Sequence, residues 1–202
     1  MQRGRPRKTD PDEALRTAMR IFWEKGFEGT SMADLAAATG MAKPGLYATF
    51  GDKETLYAKA LTHYYQALGG PLLDDLVGSP DPLRVVLRRC LEAVARSAID
   101  RTCPGGCFVL NSMMESAGQS GPHIDLAKTF DRKRRDAFAR RFRAARSRGE
   151  LPEEADVKGL AEFFSGQLLA LAALGRSGAS RKALERFIDV AMGVLPEPDP
   201  DR

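Results

Sequence analysis

Very little in this chain of 202 residues advertises chemistry. It holds three cysteines, two histidines and one tryptophan, and aromatic residues make up 7% of it. Three cysteines form no disulfide framework, which argues for a reducing compartment; a cytoplasmic protein is expected. The histidines, His63 and His123, lie far apart and each reads as a surface or helix-end residue, so no metal and no cofactor is expected. No phosphate loop, nucleophile triad or G-x-S-x-G elbow is present, which leaves an enzyme with almost nothing to work with. The longest uncharged apolar stretch, residues 163–175, falls short of the roughly 20 residues a bilayer needs, so no membrane partner is expected. The basic N-terminus runs into polar residues without an apolar core and does not read as a secretory signal. Charge of one sign is also missing. Lys and Arg number 31 against 27 acids, and a net charge of +4 selects no partner by itself.

Strand-like alternation never recurs, whereas apolar residues return every three or four positions along most of the chain. Asp10-Pro11-Asp12-Glu13 opens a first helix that Gly26 stops, with Leu15, Ala18, Met19 and Phe22 on one face. Ser31 and Asp34 form a capping pair for a short Ala-rich helix ending at Gly40, and another short helix spans about residues 43–50. Gly51-Asp52 opens a longer helix that Gly69-Gly70-Pro71 is expected to break. Further helices are expected from about residue 81, from about 107, over about 124–148, 156–176 and 180–194, with a frayed tail after 195. The pattern predicts an all-α protein of about nine helices. Its division is a basic arm (1–9), a helix-turn-helix region (10–51), a connecting helix (52–69), a helical bundle (70–195) and a tail (196–202).

Residues 31–50 carry the first distinctive signal. Two short helices joined by a tight glycine turn fit a helix-turn-helix, although spacing alone fits any helical hairpin equally well. Leu46 and Phe50 would lock the second helix inward, leaving Lys43, Gly45, Tyr47, Ala48 and Thr49 outward. Just upstream, Arg3, Arg5, Arg7 and Lys8 crowd an extended Arg-Gly-Arg-Pro string with no acid before Asp10, suited to a narrow minor groove.

Four strings carry a family resemblance: Phe22-Trp23-Glu24-Lys25-Gly26-Phe27-Glu28-Gly29-Thr30-Ser31, Ala33-Asp34-Leu35-Ala36, Gly40-Met41-Ala42-Lys43-Pro44-Gly45-Leu46-Tyr47-Ala48-Thr49-Phe50 and Lys53-Glu54-Thr55-Leu56. Together they resemble the DNA-binding domain of the TetR family. The resemblance implies a one-component transcriptional regulator, usually a repressor. It also implies a homodimer on a palindromic double-stranded operator, released by a small molecule. By the same resemblance Thr30 and Ser31 meet phosphate, Lys43, Pro44, Gly45, Tyr47 and Thr49 read the groove, and Lys53 clamps a phosphate. Ala42 departs from the Ser or Thr common in the family, so the reading helix lacks a side-chain cap, worth about 1 kcal/mol.

The second half offers Phe108, Asn111, Met114, Glu115, Phe130 and Phe164 as lining for an effector pocket, though each also reads as core. Asn111 and Glu115, one turn apart on an apolar helix, need polar partners: a ligand, or Arg88 or Arg89. Cys103-Pro104-Gly105-Gly106-Cys107 resembles a branch of the family in which a thiol at a helix start senses oxidants, electrophiles or copper. Cys107 would feel the positive end of the helix dipole, with Cys103 placed to resolve it; buried packing cysteines remain the alternative. A redox enzyme built on these thiols lacks a neighbouring base, and a non-specific DNA-coating protein would need more positive charge. The basic helix near 128–148 reads as a solvated face. The last two helices are apolar on more than one side, so Phe164, Leu168, Leu171, Leu184, Phe187, Ile188 and Ala191 are expected at an isologous dimer contact.

Overall fold

The computed structural model describes residues 10–115 and 121–197. Arg3, Arg5, Arg7 and most of the tail lie outside the described residues. Within them every regular element is a helix. The order is α1 (Pro11–Lys25), α2 (Met32–Thr39), α3 (Lys43–Phe50), α4 (Lys53–Tyr64), α5 (Gly70–Gly78), α6 (Leu83–Ala98), α7 (Phe108–Glu115), α8 (Pro122–Ser147), α9 (Val157–Arg176) and α10 (Arg181–Met192).

The helix starts follow the side chains that satisfy otherwise orphaned amides. Asp10, Ser31, Asp52, Asp156 and Ser180 each accept a backbone N–H at the start of α1, α2, α4, α9 and α10. Ser31 and Asp34 form a reciprocal capping box, and Ala42 leaves α3 without a side-chain cap, as its type dictates.

Gly69-Gly70-Pro71 does not break the helix, contrary to expectation. Both glycines sit in the right-handed helical region, and a single π-turn, Tyr65–Gly69, carries α4 into α5. Pro71 falls in the first turn of α5, where its missing N–H costs least. The boundary expected after residue 69 therefore lies inside one helical rod running from Lys53 to Gly78.

Two cores organise the molecule. One gathers Leu83, Val86, Leu87 and Leu91 of α6 with Phe138 and Phe142 of α8, Phe164, Leu168 and Leu171 of α9, and Leu184 and Ile188 of α10. The other packs Ala14, Ala18, Phe22 and Trp23 of α1 against Leu35, Leu46, Phe50, Leu56, Tyr57, Leu61 and Tyr64. Phe108 of α7 with Ala127 and Phe130 of α8 complete this second core. Each large apolar side chain so buried contributes about 1.5–3 kcal/mol.

The expected dimer contact is corrected by this packing. Phe164, Leu168, Leu171, Leu184, Ile188 and Ala191 are all buried inside the protomer, and only Phe187 is part-exposed. The sides of α9 and α10 facing away from the core carry Phe163, Gly166, Ala173, Leu174 and Val190, and Val194 follows in the turn after α10, all exposed. Two apolar faces give α9, a helix of 20 residues, a mean hydropathy of 1.3 over an 18-residue window, long and apolar enough by composition to cross a bilayer. The expectation that nothing reached that length counted only unbroken apolar runs, and α9 begins with Lys158 and Glu162 on its polar edge.

Arg141 of α8 is buried with its side chain at 0% exposure. It donates to the carbonyls of Ser79 and Asp81 and lies 3.8 Å from Glu150. Burial pulls its pKa below the usual arginine value, and Glu150 opposes that shift.

Candidate nucleic-acid interface and effector cavity

The α2–α3 hairpin is held from one side. Leu35 and Leu46 are fully buried and Phe50 nearly so, which pins both helices on α1 and α4. The other side of α3 presents Lys43, Pro44, Tyr47, Ala48 and Thr49 to solvent, with Gly45 part-exposed. Tyr47 is 50% exposed, an unusual position for a large ring. A Cβ on Gly45 would meet only the Met41 methyl, at 3.8 Å, so the protein itself does not require glycine there.

Lys53 opens α4 beside this surface with its ammonium 4.2 Å from the centre of the Phe27 ring. Ser31 is exposed, but its hydroxyl already donates to Asp34 (2.6 Å) and accepts the Asp34 amide (3.1 Å). The hydroxyl, together with the Ser31 amide donating to Asp34 Oδ2 at 2.9 Å, holds the Asp34 carboxyl below the usual carboxylate range. Thr30 is corrected. It is buried and its hydroxyl donates to the Gly26 carbonyl at 2.7 Å, closing the turn after α1, so it is not free to meet phosphate.

The turn between α1 and α2 is gripped by the far half of the chain. The Phe27 and Glu28 amides donate to the Glu115 carboxylate at 2.9 and 2.8 Å. Gly26 is needed for that approach: its φ is 77°, and a Cβ there would lie 2.5 Å from Glu115 Oε2. His123, at the start of α8, stacks on Phe27 (4.6 Å) and meets Glu54 Oε1 through Nδ1 at 3.0 Å. Arg176 of α9 donates to the Glu24 and Gly105 carbonyls. Sequence reasoning missed this clasp, because nothing local pairs residue 27 with residue 115. Of the two places expected for His123, the surface or a helix end, it takes the second: it sits in the first turn of α8, buried.

A cavity of about 210 Å³ opens between the rod and helices α6 to α9. Its wall is mostly apolar, with Tyr65, Leu68, Leu72, Val94, Met113 and Leu169, and the polar groups Ser97, Asp131, Arg134 and Cys107. Arg134 pairs with Asp131 and donates to Ser165.

Of the expected lining residues only Phe130 is in this wall. Phe108 and Phe164 are fully buried in the two cores, and Met114 points out at 70% exposure. Glu115 holds the α1–α2 turn, and Asn111 lies off the cavity with its Nδ2 buried and unpaired. Neither meets Arg88 or Arg89, which pair with Asp189 and with Asp75 and Asp81.

Cys107 immediately precedes α7, its carbonyl accepting the Asn111 amide at 2.9 Å, and the residue lines the cavity. Burial drives the nearby Tyr64 hydroxyl well above its ordinary pKa, and the Cys107 thiol adds to that shift. Cys103 and Cys107 are part-buried and free, and Cys90 is buried, with its pKa pushed up to about 12 by desolvation.

Two family models match this arrangement. Residues 14–60 match "Bacterial regulatory proteins, tetR family", and residues 83–191 match "Tetracyclin repressor-like, C-terminal domain". The chain belongs to the TetR family. It is therefore a helix-turn-helix transcriptional regulator and not an enzyme.

Its similarity extends over whole proteins. It is 34% identical over 200 residues to the HTH-type transcriptional repressor ComR of Escherichia coli (strain K12), covering 96% of this chain and 93% of that one. Cysteine-mutant CifR in complex with 26-bp double-strand operator DNA superposes with a TM-score of 0.84 at 30% identity, over 96% of this chain and 100% of that one. AibR, in complex with isovaleryl coenzyme A and operator DNA, has a TM-score of 0.71 at 25% identity, over 94% and 99% of the two chains.

Proposed function

We propose that the protein is a homodimeric repressor. It would grip two half-sites of a palindromic operator with α3 and let go when a small, largely apolar molecule enters the 210 Å³ cavity. The observation that carries the reading is the solvent-facing side of α3, where Tyr47 stands out between the core anchors Leu46 and Phe50. Lys43, Pro44, Gly45, Tyr47 and Thr49 would lie in the major groove, with Lys53 on a phosphate at the start of α4. The operator complexes of CifR and AibR support the DNA partner, and the repressor name of ComR supports the sign.

The dimer would form through the outward faces of α9 and α10 and the turn that follows, with Phe163, Leu174, Val190 and Val194 paired about a two-fold axis together with Phe187. The test is operator selection from random DNA. A short palindrome should be recovered by the wild-type chain and lost by the Tyr47→Phe, Lys53→Ala double variant. Recovery of unrelated sequences would sink the reading.

One observation favours a second trigger. Cys107 lines the same cavity, so a thiol-reactive molecule could be held there covalently, or oxidation could join Cys107 to Cys103. Mild peroxide or an electrophile should then release wild-type protein from DNA and spare Cys103→Ser and Cys107→Ser. Equal release of all three leaves non-covalent occupancy as the trigger.

A further inference from the structure

The rod that carries the DNA-binding helices changes its winding where it passes the cavity. Tyr65–Gly69 form one π-turn, closed by the Gly70 amide on the Tyr65 carbonyl. Such turns hold one residue more than an α-helical turn and concentrate at functional sites. Pro71 supplies no N–H to anchor an ordinary helical bond across it.

The two glycines make room for Tyr65, one for its ring and one for its carbonyl. A Cβ on Gly69 would sit 3.1 Å from the Tyr65 ring, and one on Gly70 3.3 Å from the Tyr65 carbonyl oxygen. That ring lies flat on Phe130, with centroids 4.1 Å apart and planes within 2°. Tyr65, Leu68, Gly69 and Phe130 all line the cavity. Below the turn the same rod is core to the DNA-binding half, where Leu56, Tyr57 and Leu61 of α4 pack with Phe22 of α1.

We propose that this π-turn is the joint through which an occupant of the cavity moves the DNA-binding helices. An apolar body beside Tyr65 parts the stack on Phe130. The turn then tightens or migrates, and α4 rotates with α1 to α3 attached. One residue of helical register is about 1.5 Å along the axis and about 100° around it, so a small fraction suffices. Half-sites about 34 Å apart tolerate little change in spacing. The inference rests on the reading that the cavity takes the effector, and it names the part that responds.

The test uses a covalent occupant. In a Cys103→Ser chain, benzyl methanethiosulfonate reacts with Cys107: the thiolate attacks the sulfenyl sulfur, methanesulfinate leaves, and a mixed disulfide fixes a benzyl group in the cavity. Operator DNA selected by the unlabelled chain is titrated by fluorescence anisotropy, and Trp23, edge-on to Tyr64 at 4.9 Å, reports on the rod.

Labelling is expected to weaken operator binding about tenfold and to shift Trp23 emission. Deleting Gly69 removes the extra residue and leaves the flanking helical faces in register. Labelled and unlabelled deletion proteins should differ by less than about twofold, below the range of coupled sites. Tyr65→Leu, which keeps the turn and loses the stack, should lose most of the response as well. If the label does not weaken binding in the parent chain, the effector-cavity reading falls and the joint with it. If it weakens both variants as much as the parent, the joint is overturned and the cavity reading stands.

Discussion

Tyr47, Lys53 and Gly45 share one property: the protein gains little from them. Tyr47 is half exposed, Lys53 only rests on Phe27, and Gly45 weakens its own helix. Lys53→Ala should weaken binding to every DNA sequence alike and lower the salt slope by about one unit. Gly45→Ala should stabilise the fold by about 0.5–1 kcal/mol, since a methyl has room, and should weaken operator binding by blocking close approach. A variant that melts higher and binds as well as before would remove the glycine from the interface. Cysteine alkylation gives a third check. With its pKa at about 12 and only 1% exposure, Cys90 should resist iodoacetamide at pH 8 in the native protein, so mass spectrometry should count two adducts natively and three after unfolding. The outward residues of α3 were legible in the sequence because Leu46 and Phe50, one turn apart, fix which face is left. Thr30 was not: a threonine hydroxyl can meet a phosphate or its own chain, and only the turn at Gly26 decides. Glu115 was sorted with the pocket because a lone carboxylate on an apolar helix announces a partner but not its identity.

At the scale of helices, caps and glycines made the starts readable, and Gly-Gly-Pro misled. Those residue types signal a break in a sequence, yet helical φ and ψ are open to glycine and the first turn is open to proline, so packing on Phe130 decided for a continuous rod. The last two helices misled differently: apolar residues on two faces do not reveal which face the protomer itself consumes. Two helix caps predict an acid response. The carboxylates of Asp34 and Asp52 are held below their usual range by hydrogen bonds from Ser31 and Thr55. A lowered pKa in the folded chain means stability present above about pH 4 and lost as pH falls through the folded values. The stability of the wild-type chain, followed by urea unfolding, should therefore drop more steeply below about pH 4 than that of Asp34→Asn, Asp52→Asn. The clasp on the α1–α2 turn is testable too. Glu115→Gln exchanges two charge-assisted hydrogen bonds for at most weaker neutral ones and should cost about 1.5–3 kcal/mol in urea unfolding, with α3 unchanged.

Assembly separates the two faces of α9 and α10. Phe163→Glu with Val190→Glu puts charge on exposed positions, so the chain should stay folded and sediment as a monomer. Leu168→Glu or Ile188→Glu buries a charge inside the protomer and should unfold it instead. A double variant that still sediments as a dimer would move the contact elsewhere. The second core has a further consequence. Trp23, Tyr57 and Tyr64 are covered by Phe108 and Phe130, which arrive more than forty residues later in the chain. The reading head and the sensor are thus not separable parts for recombination. A crossover near residue 70 between two relatives would leave each head facing another parent's aromatic cover. Viable hybrids should be those in which the segment around residues 107–130 is inherited together with the head.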